Sequence, residues 1–209
     1  MSTPVKTILT LAAGLLVVYF SLDIRKLDSA KHNPEDFDLA AYTRVLWERD
    51  LPEIARQGAD IRSLLGALKD DPESTCRTRG HKLGISQTVY FFVRGSGTIA
   101  ALDDENVMVA LGDGLQVKIA TDFIFGNAVR EASGLINIDD FLNMTDFNNV
   151  SVDLNKKVKK NVATPLRNAA APGMSIEFAG AFEVNEKKPE PESIRIIPVM
   201  AEVKPAPHE

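Results

Sequence analysis

The sequence predicts a protein of mixed β and α structure, mainly β: a small β-barrel preceded by an N-terminal membrane-anchor helix and a short helical segment. Three observations predict it: an uncharged run near the N-terminus, apolar residues at helical spacing up to residue 87, and β-branched, alternating segments from residue 88 onward. The chain has 209 residues, 44% hydrophobic and 25% charged, with a formal net charge of −5. These values are typical of globular proteins and exclude a disordered chain, a collagen-like repeat and a polytopic membrane protein.

Residues 1–26 are predicted to be a signal anchor. Residues 7–22 (TILTLAAGLLVVYFSL) carry no charge, and this length falls between a signal-peptide core of about 7–15 residues and a membrane span of about 20. No pair of small residues precedes Asp23 to form a cleavage site, so we expect residues 7–24 to stay in the inner membrane. A cleaved secretion signal is the alternative. Orientation stays open, because the positive-inside rule draws Arg25 and Lys26 toward the cytoplasm.

Residues 27–36 (LDSAKHNPED) are polar and predict a linker. Residues 37–87 predict a helical region that packs on the barrel, since its apolar residues recur every three or four positions. Pro52 and Gly58 are expected to divide this region into two or three short helices, and Asp71-Pro72 to close it.

Residues 88–203 predict the barrel domain. Three strand-like segments occupy about 88–104, 107–111 and 115–125, and two more occupy 174–184 and 193–203. A helix at about 145–162 separates the two groups, with Thr145 as its expected cap. Residues 127–136 predict either a short helical turn or a loop, and residues 204–209 a disordered tail.

Three strands, a helix and two strands is the order of a small barrel of the oligonucleotide/oligosaccharide-binding (OB) type. Gly95 and Gly97 fit a bent first strand, where a barrel corner needs residues without side chains. An open α+β sheet is the alternative. The strands carry six phenylalanines, and alternation is expected to place most of them inside: Phe91, Phe92, Phe123, Phe125, Phe178 and Phe182.

The sequence shows no catalytic constellation, so we expect a protein that is not an enzyme and has no catalytic residues, metal site or cofactor. His32, His81 and His208 lie in polar segments without metal-ligand spacing. Cys76, the single cysteine, excludes an internal disulfide, and its polar neighbours make a reactive loop thiol conceivable. The acidic balance, without a basic groove of stacking aromatic residues, argues against nucleic acid as a partner.

One polar cluster is the candidate binding site for a ligand or partner. Arginine, carboxylate and amide groups supply the donors and acceptors that bind sugar hydroxyls or a peptide backbone. The alternative is a polar network that fastens the helix to the barrel. The cluster comprises Arg130, Glu131, Asn143, Asn148, Asn149 and Asn155.

The ordered succession of residues from about Phe37 to the C-terminus resembles the domain-of-unknown-function family 2291, described as predicted periplasmic lipoproteins. The most specific block is GNAVREA at 126–132, followed by Phe141, Asn143 and Leu154-Asn155. Family members resemble this with Gly-x-Ala-x-Arg-Asp-Ala, then Phe-x-Asn-Gln, then Leu-Asn. Glu131 departs from the family's aspartate and Met144 from its glutamine, and no cysteine follows the apolar run as a lipid attachment point.

The resemblance implies a cell-envelope protein, anchored in the inner membrane with its domain in the periplasm. Members are often encoded beside sugar ABC transporters, which implies components of such a transporter as partners. The leading hypothesis is therefore a membrane-tethered, non-enzymatic accessory module. The alternative is a small-ligand (sugar) binding protein that uses the Arg130/Asn143 region, and a hydrolase assembled from distant residues is a third hypothesis.

Overall fold

The structure, a computed structural model, describes residues 37–191 and 194–205. The predicted anchor (1–26), the predicted linker (27–36) and residues 206–209 of the predicted tail lie outside these ranges. Among the described residues, no helix is long and apolar enough to span a bilayer.

The first helical region runs without interruption through helix α1 (Leu39–Val45), a π-helical turn (Leu46–Asp50) and helix α2 (Leu51–Gln57). The prediction that Pro52 divides this region is wrong. A proline cannot donate to the carbonyl four residues earlier, and the wide π turn directly before it accommodates that loss. The helix ends at Gly58, as predicted.

Two further helices follow strand β1 (Ala59–Asp60), a two-residue strand that the sequence pattern did not indicate. They are α3 (Ile61–Asp70) and α4 (Pro72–Arg79). Asp71 does not close the helical region as expected. Its carboxylate accepts a hydrogen bond from the backbone N–H of Ser74 at 3.0 Å, so it is the N-cap of α4, and proline fits the first turn.

The strands form a six-stranded mixed sheet. Five of the strands follow β1: β2 (Thr88–Leu102), β3 (Asn106–Gly112), β4 (Leu115–Ala120), β5 (Ser175–Asn185) and β6 (Arg195–Lys204). The antiparallel pairings β2–β3, β3–β4, β6–β5 and β5–β2 and the parallel pairing β4–β6 complete a circuit of these five strands. The alternative prediction, an open sheet, would lack the β2–β5 pairing.

Strand β2 serves both neighbours because it bends. Its first part pairs with β5 as far as Thr98, and from Thr98 it pairs with β3. At Gly97 a Cβ atom would lie 2.3 Å from the carbonyl oxygen of Ala110. The close approach of the two backbones therefore requires glycine at this position, as the predicted bend suggested.

Helices occupy the connection between β4 and β5. The segment left open between helix and loop contains helix α5 (Ala128–Ser133). The helix expected at 145–162 is present as α6 (Met144–Val158), and its N-cap is Asn143 rather than Thr145. A second π turn (Lys159–Ala163) and helix α7 (Thr164–Ala169) continue it without a break, and again a proline, Pro165, follows the π turn.

The apolar side chains form two clusters on opposite faces of the sheet. Alternation along β2 divides them: Phe91 and Val93 join the first cluster with the leucines of α3, whereas Phe92 joins the second with α2, α5 and α6. Phe91 stacks on Phe182 with the ring centroids 5.3 Å apart. The second cluster attaches the helical layer to the sheet, and the candidate site lies in that layer.

Candidate functional site

Helix α5 positions Arg130, the central residue of the predicted cluster. Its six residues are almost entirely buried, and Gly134 ends it with a φ of +64°. The Arg130 side chain is only 1% exposed, and its Nε and Nη2 lie 2.8 Å and 2.6 Å from Oε1 of Glu131, itself 8% exposed. Nη1 donates to the carbonyl oxygen of Phe147 at 2.8 Å, and Cζ lies 3.6 Å from the centre of the Phe147 ring. The guanidinium group is thus enclosed, and it holds α5 against α6.

Three of the four predicted asparagines make contacts in three different places, and the fourth, Asn149, lies half-buried on α6. The Asn148 side-chain oxygen lies 3.5 Å from Arg130 Nη1, so the structure brings these two and Glu131 together. Asn143 caps α6 through the Asp146 N–H at 2.8 Å. Asn155 donates from Nδ2 to the carbonyl oxygen of Gly126 at 2.9 Å and ties the preceding loop to α6. These contacts connect parts of the domain to one another and are therefore architectural.

A groove lies between that loop and α6, and we call it the α6 groove. It has a volume of about 380 Å³. Its helix residues recur every three or four positions and so occupy one face of α6 and the turn after it. The lining comprises Ile124, Phe125, Gly126 and Asn127 from the loop, and Asn148, Ser151, Val152, Asn155, Lys156 and Lys159 from the helix.

Two phenylalanines beside this groove are exceptions to the prediction that most strand phenylalanines lie inside. Phe91, Phe92, Phe178 and Phe182 are buried, whereas the side chains of Phe123 and Phe125 are 60% and 72% exposed. Strand β4 ends at Ala120, and both Thr121 and Asp122 donate their N–H groups to the carbonyl oxygen of Glu105. The chain therefore leaves the strand before the phenylalanines. Three consecutive apolar residues at 123–125, where alternation stops, are the signal that sequence reasoning missed.

The loop conformation is held by Asp122. Its Oδ1 accepts hydrogen bonds from the Phe123 N–H at 2.9 Å and from Lys159 Nζ at 2.5 Å. These contacts, with the Lys159 bond as the largest cause, lower the pKa of the Asp122 carboxyl below its usual value. Phe123 has a φ of +48°, a region that bulky residues rarely adopt. The surrounding contacts therefore hold an unfavourable backbone conformation next to the groove.

Two titratable groups on the sheet lie beside the Arg130 pair. Partial desolvation by the surrounding protein raises the pKa of Glu183, although its side chain is still exposed at the sheet surface. Burial, followed by the charges of Glu183 and Glu131, raises the pKa of Tyr90, while Arg130 opposes this shift. Tyr90 and Glu183 are directly paired on β2 and β5. Both shifts favour the protonated, neutral form of the group.

A second, larger groove of about 750 Å³ crosses β2, β5 and β6 under α2 and the second π turn. It mixes charged, amide and apolar side chains. Arg94, Glu202 and Asn161 are among the polar residues, with Met200 and Phe178 among the apolar ones. Arg94 uses Nε to donate to the carbonyl oxygen of Gly58 at 3.1 Å.

Cys76 is buried on α4 rather than in a loop. Burial, and to a smaller extent the charge of Glu186, raises the pKa of its thiol, which opposes the reactivity that its polar neighbours suggested. Within residues 37–191 and 194–205, no group of three or more His, Cys, Asp or Glu side chains is arranged to hold a metal ion.

Comparison with known proteins defines the family. The family model described as "Predicted periplasmic lipoprotein (DUF2291)" matches residues 12–202. The chain belongs to this family. The description places its members in the periplasm as lipoproteins, which agrees with the predicted cell-envelope location and with a membrane-anchored, periplasmic domain. The family has no established function, and no curated protein matches the chain.

A solved structure supports the fold. A crystal structure described as that of an OB-fold protein from Thermotoga maritima is 26% identical in sequence and has a TM-score of 0.72. The match covers 81% of this chain and 99% of the other. This chain of the family therefore has an OB-fold neighbour, and its own fold is a mixed six-stranded sheet with helices.

Proposed function

We propose that this member of the family is a non-enzymatic accessory protein of the cell envelope that binds another protein through the α6 groove. The observation that carries the proposal is the exposure of Phe123, Phe125 and Val152 beside a groove. Exposed apolar side chains that border a cleft are typical of protein-binding surfaces. The Arg130 pair, in contrast, is enclosed and uses its donors within the domain.

Components of a sugar ABC transporter are the proposed partners, from the gene neighbourhoods common in this family, and residues 7–24 are the proposed attachment to the inner membrane. The test is capture of the tagged full-length chain from solubilised membranes of its own organism. The wild-type chain and a control variant, Ile85→Asp, are expected to recover the transporter subunits. Ile85 is a fully exposed apolar residue that does not line the groove.

The variant Phe125→Asp is expected to recover at least tenfold less of the same subunits. Because Phe125 is largely exposed, the substitution leaves both apolar clusters intact. Consistent recovery of no transporter subunit by the wild-type chain would contradict the proposed partner. Equal recovery by Phe125→Asp and wild type would contradict the proposed surface.

Sugar binding is the second candidate function, and the larger groove favours it. Its volume is within the range of small-ligand sites, about 300–1,000 Å³, and planar polar groups alternate with apolar surface. The sequence-based candidate region at Arg130 and Asn143 stays a prediction. A thermal-shift screen of the full chain with sugars tests both candidate sites, the larger groove and the Arg130/Asn143 region, since a ligand at 100 times its Kd adds about 2.7 kcal/mol to the free energy of unfolding.

If Arg94→Ala loses the sugar-induced rise in Tm and Asn143→Ala keeps it, the sugar binds in the larger groove. If Asn143→Ala loses the rise and Arg94→Ala keeps it, the sugar binds in the predicted Arg130/Asn143 region. No shift with any sugar for the wild-type chain would refute the second candidate function.

A further inference from the structure

The floor of the α6 groove holds a hydroxyl group without a hydrogen-bond partner. Ser151 is 5% exposed and lines the groove, and within the described chain its Oγ has no hydrogen bond. A helical serine usually donates to the carbonyl oxygen four residues earlier, which here belongs to Phe147. That oxygen instead accepts from Arg130 Nη1 at 2.8 Å. The hydroxyl is therefore unpaired, and because Oγ is itself buried just beneath the groove surface, a polar group of a bound molecule reaches it by displacing the groove side chains above it.

Apolar surface surrounds this hydroxyl. Phe125 from the loop and Val152 from α6 both line the groove while remaining largely exposed to solvent. Asn155 keeps the loop at this distance from the helix, because it binds the carbonyl oxygen of Gly126. An apolar side chain entering the groove would cover both exposed residues.

The charge of the groove is positive at one end. Lys156 is exposed, and among the described residues it forms no ion pair. Lys159 is held by Asp122 at 2.5 Å beside it. Among the residues that the structure describes, no acidic side chain lines the groove, although the chain as a whole has a net charge of −5. A carboxylate on the occupant would complement this end.

We infer that the α6 groove binds a polypeptide segment of a partner protein in which an apolar side chain has Asp or Glu close by. The inference rests on the proposed function and specifies the partner's chemistry. The apolar side chain lies between Phe125 and Val152, a polar group of the segment binds Ser151 Oγ, and the carboxylate binds Lys156. The hydroxyl favours a polypeptide over an acyl chain, which has no polar group to place there.

The first test is selection from a library of displayed random peptides, using the full chain in phosphatidylcholine nanodiscs. The wild-type chain is expected to select peptides with an apolar residue near Asp or Glu. Lys156→Glu is expected to reverse the preference at the charged position to Lys or Arg, changing relative binding at least tenfold. Phe125→Asp should abolish selection, and Ile85→Asp should leave it unchanged.

Selected peptides without an acidic preference, or with the same sequences for Lys156→Glu and wild type, would overturn the inference. So would binding of vesicles containing anionic lipid, or of a free fatty acid, at this groove when no peptide binds. Thermal melting of each variant should match wild type, because Lys156, Phe125 and Ile85 are all exposed.

The second test separates this inference from the proposed function. A photo-crosslinking residue is placed at Val152 or at Ile85 in the full chain in native membranes. Crosslinking of the captured subunit from position 152 alone supports the groove. Crosslinking from position 85 alone, with capture intact, overturns the groove inference and leaves the accessory function standing. Failure of wild-type capture overturns the proposed function itself.

Discussion

Replacing Arg130 by methionine should strongly destabilise the domain. Methionine fills much of the same volume, so the main change is the loss of charge and donors. The Glu131 carboxylate, 8% exposed, would lose a partner at 2.6 Å, and the carbonyl oxygen of Phe147 would lose one at 2.8 Å. Breaking a buried ion pair by removing one partner costs about 3–5 kcal/mol.

That loss corresponds to a fall in Tm of roughly 6–20 °C, at about 2–4 °C per kcal/mol for a domain of this size. The assay is urea and thermal unfolding of the full chain in detergent, followed by the fluorescence of Trp47. This residue is the single tryptophan and packs against the second apolar cluster. Its emission therefore reports on the helical layer that Arg130 stabilises.

The double variant Arg130→Met/Glu131→Gln provides the control. It removes both charges, so the remaining loss is that of the Phe147 carbonyl's partner, about 1–3 kcal/mol. The double variant should therefore be more stable than Arg130→Met alone. A loss below about 1 kcal/mol for Arg130→Met, or a double variant no more stable than the single one, would refute the structural role.

Three further measurements test separate features. The raised pKa of Glu183 means that the folded state prefers the neutral acid. The stabilising effect of the neutral acid is therefore present below the unfolded pKa of about 4.3 and is lost as pH rises through the folded pKa. Glu183→Gln should raise Tm at pH 7 and leave it unchanged below about pH 4, and an equal change in Tm at both pH values would contradict this. The buried Cys76 thiol should react with a disulfide reagent at pH 8 only as fast as the protein unfolds, so rapid reaction without denaturant would disprove its burial. Asn143→Ala should lose about 1 kcal/mol of unfolding free energy by urea titration while Asn143→Asp, which can still cap α6, loses little, and equal losses would exclude capping as the cause.

The order of the strands could be predicted, because each strand contains alternating apolar residues and β-branched residues. The residues at which the strands end could not be predicted, because they depend on contacts with other parts of the chain. Strand β4 ends at Ala120 because the Thr121 and Asp122 N–H groups both bind the carbonyl oxygen of Glu105, just beyond the pair Asn106–Ala120 that ends the β3–β4 pairing, and no residue pattern reveals this shared contact. Phe123 and Phe125 were consequently assigned to the wrong environment. The continuity of the helix across Pro52 was missed for a similar reason, since a π turn leaves no residue pattern of its own.

The cluster around Arg130 was found from residue types, but its burial was not predictable from them. Arginine is almost never fully buried unless it is paired, and pairing depends on where α5 meets α6. From the residue types alone, ligand binding and fastening of the helix to the sheet are both compatible with this cluster. The contacts of Arg130 with Glu131 and with the Phe147 carbonyl are those of fastening, whereas the role of these residues toward a ligand stays a prediction.

The polar residues that match the family's motifs and the exposed residues beside them have different roles. Asn155 binds the carbonyl of Gly126, and Arg130 occupies the carbonyl that Ser151 would otherwise bind. The first contact sets the width of the α6 groove, and the second leaves the Ser151 hydroxyl unpaired just beneath its surface. Arg130 and Asn155, which match the family's sequence motifs, thus shape the groove, whereas the proposed contacts with a partner are made by Phe125 and Val152, which belong to no such motif. A substitution at Arg130 that weakens partner binding would therefore act indirectly, through the geometry of the groove. Phe125→Asp would weaken partner binding directly, without changing the stability of the domain.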